Sequence, residues 1–124
     1  MTLEKPVIDR PEGTPPTDLQ TTDITLGEGQ EAQAGNQVSV HYVGVSHSTG
    51  EEFDASWNRG APLDFGLGRG QVIPGWDQGV TGMKVGGRRK LVIPPNLAYG
   101  DSGAGGVIKP GETLIFVVDL VSVS

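Results

Sequence analysis

Cysteine is absent from the 124 residues, so neither a disulfide framework nor a thiolate metal site can staple this chain. Basic residues are scarce. Nine Lys and Arg stand against fifteen Asp and Glu, a formal net charge of −6. A nucleic-acid partner is not expected, because neutralising phosphates needs a basic stripe. No apolar run is long enough to span a bilayer, and the N-terminus lacks the basic-then-apolar order of a secretory signal. The expectation is a soluble, cytoplasmic protein with no membrane partner. The two imidazoles, His41 and His47, are too far apart for a helical ligand pair, so neither a metal nor a cofactor is expected. Both read as solvated. There is no Gly-x-Ser-x-Gly turn to favour a serine nucleophile, and no internal repeat or low-complexity tract.

What is present is organised around Gln71-Val72-Ile73-Pro74-Gly75-Trp76-Asp77-Gln78-Gly79-Val80. An apolar run meets Pro74, whose fixed backbone suits a first helical turn. The helix that follows places Trp76 and Val80 on one face. Gly79, Gly82 and the Gly86-Gly87 pair keep it short, and a short helix persists only when its apolar face is buried. Around it the period is two. Val38, Val40 and Tyr42 alternate with Ser39 and His41. Ser48-Thr49-Gly50 turns the chain toward Glu52-Phe53-Asp54, a hairpin signal, and Leu63-Asp64-Phe65 is another alternating fragment. Arg88-Arg89-Lys90 leads into Leu91-Val92-Ile93, and the basic run reads as a solvated strand edge or sheet face. Thr113 to Val121 is apolar at both parities, as expected of a central or covered strand. The architecture implied is α+β: one antiparallel sheet curled around a lone helix, with Trp76 as the floor of the space between them.

The length is that of one domain. Met1 to Asp18, with Pro6, Pro11, Pro15 and Pro16, reads as an extended leader, and residues 19–124 as the folded domain. Val7-Ile8 and Leu19 are candidates to cover the outside of the last strand. Gly66-Leu67-Gly68-Arg69-Gly70 lacks the lysine of a phosphate loop and reads as a flexible turn. The aromatic residues come one from nearly every element: Tyr42, Phe53, Phe65, Trp76, Tyr99 and Phe116. They describe either a plain core or an apolar pocket with a few polar groups, among them Asp54 and the two tyrosine hydroxyls, which need partners if buried.

Phe53-Asp54-Ala55-Ser56, Gln71 to Trp76, Gly86-Gly87-Arg88-Arg89, Ala98-Tyr99-Gly100 and Thr113-Leu114-Ile115-Phe116 together resemble the FKBP-type peptidyl-prolyl cis–trans isomerases. These are the immunophilins that bind tacrolimus- and rapamycin-type macrolides. The resemblance covers about Asp23 to Val123, and the glycine-rich single-domain form is most similar to actinobacterial members. It implies a half-barrel antiparallel sheet wrapped around one short helix. It also implies an enzyme that accelerates rotation about X–Pro bonds in proline-containing polypeptides, inhibited by those macrolides, and a monomer without cofactor. The catalytic set carried over is Asp54, Tyr99, Trp76 and Phe53. Tyr42, Arg59, Leu63, Phe65, Val72, Ile73, Ile108 and Phe116 would line the binding site. Trp76 would carry the proline ring, the Ile73 N–H and the Tyr99 hydroxyl would donate to ligand carbonyls, and Asp54, held by Arg59 and Tyr42, would accept from the ligand. Leu63 stands where many members have an aromatic, and the loop tip Ala104-Gly105-Gly106 lacks the bulkier residues of some members. Both departures are expected to alter substrate preference and macrolide affinity. A module that keeps the pocket without turnover is the alternative. The loop after Tyr99 is too short for the inserted chaperone domain of some members, so strong holding of unfolded chains is not expected.

Overall fold

In the computed structural model, residues 5–8, 13–100, 103, 108 and 110–124 are described. Among these residues six strands, β1 (Gln20–Thr25), β2 (Gln37–Ser46), β3 (Glu52–Ala55), β4 (Leu63–Gly66), β5 (Arg88–Ile93) and β6 (Leu114–Val123), accompany one helix, α1 (Pro74–Val80). Short 3₁₀ turns cover Ser56–Arg59 and Pro95–Leu97. The strands form one antiparallel sheet in the order β1-β5-β6-β2-β3, with β4 also paired to β2. The free edge of β2 is thus shared, Val38 facing Phe65 of β4 and Gly44 facing Asp54 of β3.

The strand that is apolar at both parities is central, as its composition requires. Leu114, Phe116, Val118 and Leu120 of β6 join Val38, Val40, Tyr42, Leu91 and Ile93 in the main core, on the face that α1 covers. Ile115 lies on the other face with Val43, Val45 and Ala55, where Ile8, Trp57 and Val92 pack against them. Of the three candidates for cover, Ile8 is the one that packs on this outer face. Val7 is 91% exposed, and Leu19 packs against the main core instead of the outer face.

Helix α1 begins with Pro74 at its first turn and buries Gly75, Trp76, Gly79 and Val80. Its glycines do more than limit its length. A Cβ on Gly75 would stand 2.4 Å from Ile93 Cγ2, and one on Gly79 would stand 2.8 Å from Leu91 Cδ2. The helix backbone rests directly on β5, which lowers the indole of Trp76 into the concavity.

The basic run is not a solvated edge. β5 is an interior strand, and each arginine is engaged. Arg88 Nε donates to Asp119, which is 2% exposed, at 2.7 Å. Arg89 Nε donates to Asp23 at 2.7 Å, and its Nη1 reaches the carbonyls of Gly79 and Thr81 at 2.8 and 3.2 Å. Those carbonyls lie at the end of α1, where a cation also complements the helix dipole. Of the Gly66–Gly70 segment, Gly66 ends β4 and residues 67–70 form a turn, but a tethered one. Asp77 in α1 accepts from the Gly68 and Gly70 N–H groups at 2.8 and 3.1 Å. His41 is not simply solvated either: it is half-buried, stacked on Trp57 at 4.3 Å.

Candidate functional site

Where β2, β3, β4, β6 and α1 converge, a cavity of about 180 Å³ opens to solvent. It is lined by Tyr42, Phe53, Asp54, Leu63, Gln71, Val72, Ile73, Trp76, Tyr99 and Phe116. Trp76, 4% exposed, is its floor. Phe116 and Tyr42 meet the indole edge to face, at 5.2 Å and 86° and at 4.8 Å and 78°. Phe53 meets Phe116 in the same manner at 5.6 Å. Such edge contacts hold rings more rigidly than burial alone would. Gly44 makes the arrangement possible, since a Cβ there would lie 2.7 Å from both Phe116 and Phe53.

The rim carries the polar groups. The Tyr42 hydroxyl donates to Asp54 Oδ2 at 2.5 Å and accepts from Arg59 Nη2 at 2.8 Å. Arg59 Nη1 closes the triangle on Asp54 Oδ1 at 2.9 Å. Burial, then the hydrogen bond to Asp54, pushes the Tyr42 phenol above its ordinary 10.0, with Arg59 pulling the other way. Bonds to Tyr42 and then Asp54 raise the Arg59 guanidinium further. Asp54 thus has one partner on each oxygen, and its side chain is half-exposed at the cavity. Asp54 and Arg59 stay close because the chain between them folds into the 3₁₀ turn. Ser56 in that turn is fully buried, and its hydroxyl accepts the Tyr42 N–H at 2.7 Å.

Two of the lining residues, Ile73 and Tyr99, each carry a donor. Among the described residues neither the Ile73 N–H nor the Tyr99 hydroxyl has a hydrogen-bond partner, whereas the Ile73 carbonyl starts α1 by accepting from Trp76 at 2.9 Å. Tyr99 is 41% exposed, so it is not a buried tyrosine whose hydroxyl would need a partner within the protein. The Trp76 Nε1, in contrast, is buried without a partner among the described residues.

Of the residues singled out from sequence, Tyr42, Phe53, Asp54, Leu63, Val72, Ile73, Trp76, Tyr99 and Phe116 meet at the cavity. Phe65 and Ile108 do not reach its surface: Phe65 lies behind Trp76 at 5.7 Å, and both are buried in the main core. Arg59 acts at the rim through Asp54 and Tyr42. The loop tip Ala104-Gly105-Gly106 lies outside the described residues. Gln71, which borders the cavity, was missed. It accepts the Gly66 N–H at 2.8 Å and so ties the end of β4 to the approach of α1.

The family profile described as FKBP-type peptidyl-prolyl cis-trans isomerase matches residues 28–121. An FK506-binding protein of Streptomyces anulatus is 71% identical over 124 residues, covering 99% of this chain and 100% of the relative. The peptidyl-prolyl cis-trans isomerase FPR2 of Saccharomyces cerevisiae is 54% identical over 93 residues, 75% of this chain and 69% of that protein. Among solved structures, AtFKBP13 superposes with a TM-score of 0.79 at 43% identity, covering 86% of this chain and 93% of the other.

Proposed function

The chain belongs to the FKBP-type peptidyl-prolyl cis–trans isomerases, and from that premise we propose how its cavity turns a prolyl bond and what the activity serves. Rotation about a peptide bond is resisted by resonance, a barrier of roughly 18–20 kcal/mol. The planar amide separates charge between oxygen and nitrogen and is well solvated by water. The twisted amide has lost that resonance and is less polar at its carbonyl. A dry wall of Phe53, Trp76, Tyr99 and Phe116 therefore disfavours the planar form more than the twisted one, which is differential binding of the transition state.

The polar rim orients. Asp54, fixed by Tyr42 and Arg59, accepts from the ligand, and the Ile73 N–H and Tyr99 hydroxyl donate to its carbonyl oxygens. Leu63 and Val72 complete the apolar wall. No nucleophile and no proton transfer enters the scheme. X–Pro bonds are the substrate because they alone populate cis appreciably and interconvert slowly enough to limit folding. Assistance to folding of proline-containing polypeptides, by a cytoplasmic monomer, is the role that follows. Macrolides of the tacrolimus and rapamycin type would compete for the same floor.

The observation that carries this reading is the apolar cavity above Trp76 with one tethered carboxylate at its rim. A proline tetrapeptide assay with and without rapamycin tests it. Turnover that rapamycin abolishes supports the proposal, and turnover that rapamycin leaves intact separates the macrolide site from the cavity.

A further inference from the structure

The cavity wall that carries Asp54 is tied from outside by the N-terminal segment. Lys5 Nζ lies 2.9 Å from Glu52 Oε1 and donates to Asn58 Oδ1 at 3.1 Å. Asn58 Nδ2 in turn donates to Glu52 Oε2 at 3.0 Å. The three side chains close a ring of contacts. Glu52 opens β3 and Asn58 sits in the 3₁₀ turn, so the ring brackets the stretch that bears Phe53 and Asp54. Arg59 is the next residue along. Three residues after Lys5, Ile8 packs on the outer cluster that includes Ala55 and Trp57, which seats the same stretch from the same side. The Lys5 ammonium is also the main reason the Glu52 carboxyl lies below its ordinary range, with Asn58 adding to it.

Arg59 needs such support. Its side chain is 50% exposed, and a long exposed side chain is costly to hold in one rotamer. What fixes the backbone beneath it decides how often the guanidinium stands against Asp54 and Tyr42.

We propose that Lys5 is a positioning residue of the isomerase site: through Glu52 and Asn58 it fixes the turn that carries Arg59, and so aims the Asp54 carboxylate at the prolyl ligand. This rests on the reading of Asp54 as the ligand's acceptor. The N-terminal segment is then part of the enzyme's working apparatus. Its influence is modest in size, since exposed ion pairs are screened and worth little individually.

The test is kcat and KM for a proline tetrapeptide, measured by NMR exchange at low salt and at about 1 M salt. The proteins are wild type, Lys5→Ala, Lys5→Arg, Arg59→Ala, Asp54→Val and the Lys5→Ala/Arg59→Ala double variant, each with its Tm. The expected result is a KM raised about two- to fivefold in Lys5→Ala, with kcat unchanged, the size an exposed ion pair supports. Lys5→Arg restores the wild-type KM, high salt brings wild type toward Lys5→Ala, and the Lys5 effect vanishes once Arg59 is Ala. A lowered Tm with unchanged KM, or losses that add in the double variant, overturns the proposal. Asp54→Val separates the two claims. A lowered kcat/KM there with none in Lys5→Ala overturns the positioning role alone, whereas a kcat/KM unmoved by Asp54→Val removes the carboxylate's role and the positioning with it.

Discussion

The Tyr42 hydroxyl and the Asp54 carboxylate share a 2.5 Å hydrogen bond between paired strands β2 and β3, and Arg59 touches both. Each group is therefore held by two others. Losing any one leaves a polar group at the cavity rim without its partner.

Asp54→Val is expected to lower kcat/KM the most of any single change at the rim, by about ten- to a hundredfold. That corresponds to the ~1.5–3 kcal/mol typical of hydrogen bonds to a charged group. Tyr42→Phe keeps the ring contacts with Trp76 and Phe116 and loses only the hydroxyl, so its fall should be smaller. Tetrapeptide kinetics on the two variants checks the order.

The Tyr42 phenol should titrate above the ordinary 10.0. Because the folded state holds this proton more tightly than the unfolded chain does, the stability it contributes is complete below about pH 10 and is lost as pH rises through the raised value. The chain has two tyrosines, so in Tyr99→Phe the absorbance of ionised tyrosine reports Tyr42 alone. Tm measured from pH 8 to 11 should fall less steeply in Tyr42→Phe than in wild type.

Tyr99→Phe should leave Tm nearly unchanged, since the hydroxyl is exposed and makes no internal hydrogen bond among the described residues. The same change should cost roughly two- to tenfold in kcat/KM, the worth of one neutral hydrogen bond to ligand. Paired calorimetry and kinetics separate the two effects. An equal loss in both would show that the hydroxyl serves the fold.

Gly75→Ala sets two effects against each other. Alanine gains about 1 kcal/mol of helix propensity over glycine, but its Cβ would lie 2.4 Å from Ile93 Cγ2. Overpacking of that kind costs roughly 1–3 kcal/mol and would lift Trp76 from its place. Tm and kcat/KM should both fall, and the further fall caused by Gly75→Ala should be smaller in an Ile93→Ala background, where the clash is gone.

That helix glycine shows where sequence reading stopped. Periodicity in Val38-Val40-Tyr42, the double apolar parity of the last strand and Pro74 at a helix start were enough to outline a sheet, its central strand and a lone helix. Spacing cannot report close approach, so Gly79 looked like a helix weakener and Gly75 drew no notice, when the two are the surface on which α1 meets β5. Arg88 and Arg89 looked solvated because a charge run does not reveal its counterions. Asp119 and Asp23 lie 31 and 66 residues away from them in sequence. The cavity residues were legible through five motifs in family order. Phe65 and Ile108 carried the right chemistry but lie behind the surface, where burial and lining cannot be told apart without coordinates.

The central claim is that this cavity twists an imide by desolvation and orientation, with no proton moved. Neither His41 nor His47 lines the cavity, and the Tyr42 phenol is pushed above its ordinary value. The most direct measurement is kcat/KM for a proline tetrapeptide from pH 5 to 8, followed by NMR exchange so that no coupled protease adds its own profile. A profile flat to within about twofold is predicted, since no cavity group is asked to change charge. A step of tenfold or more centred near the histidine range would contradict the account and place a general acid or base in the reaction.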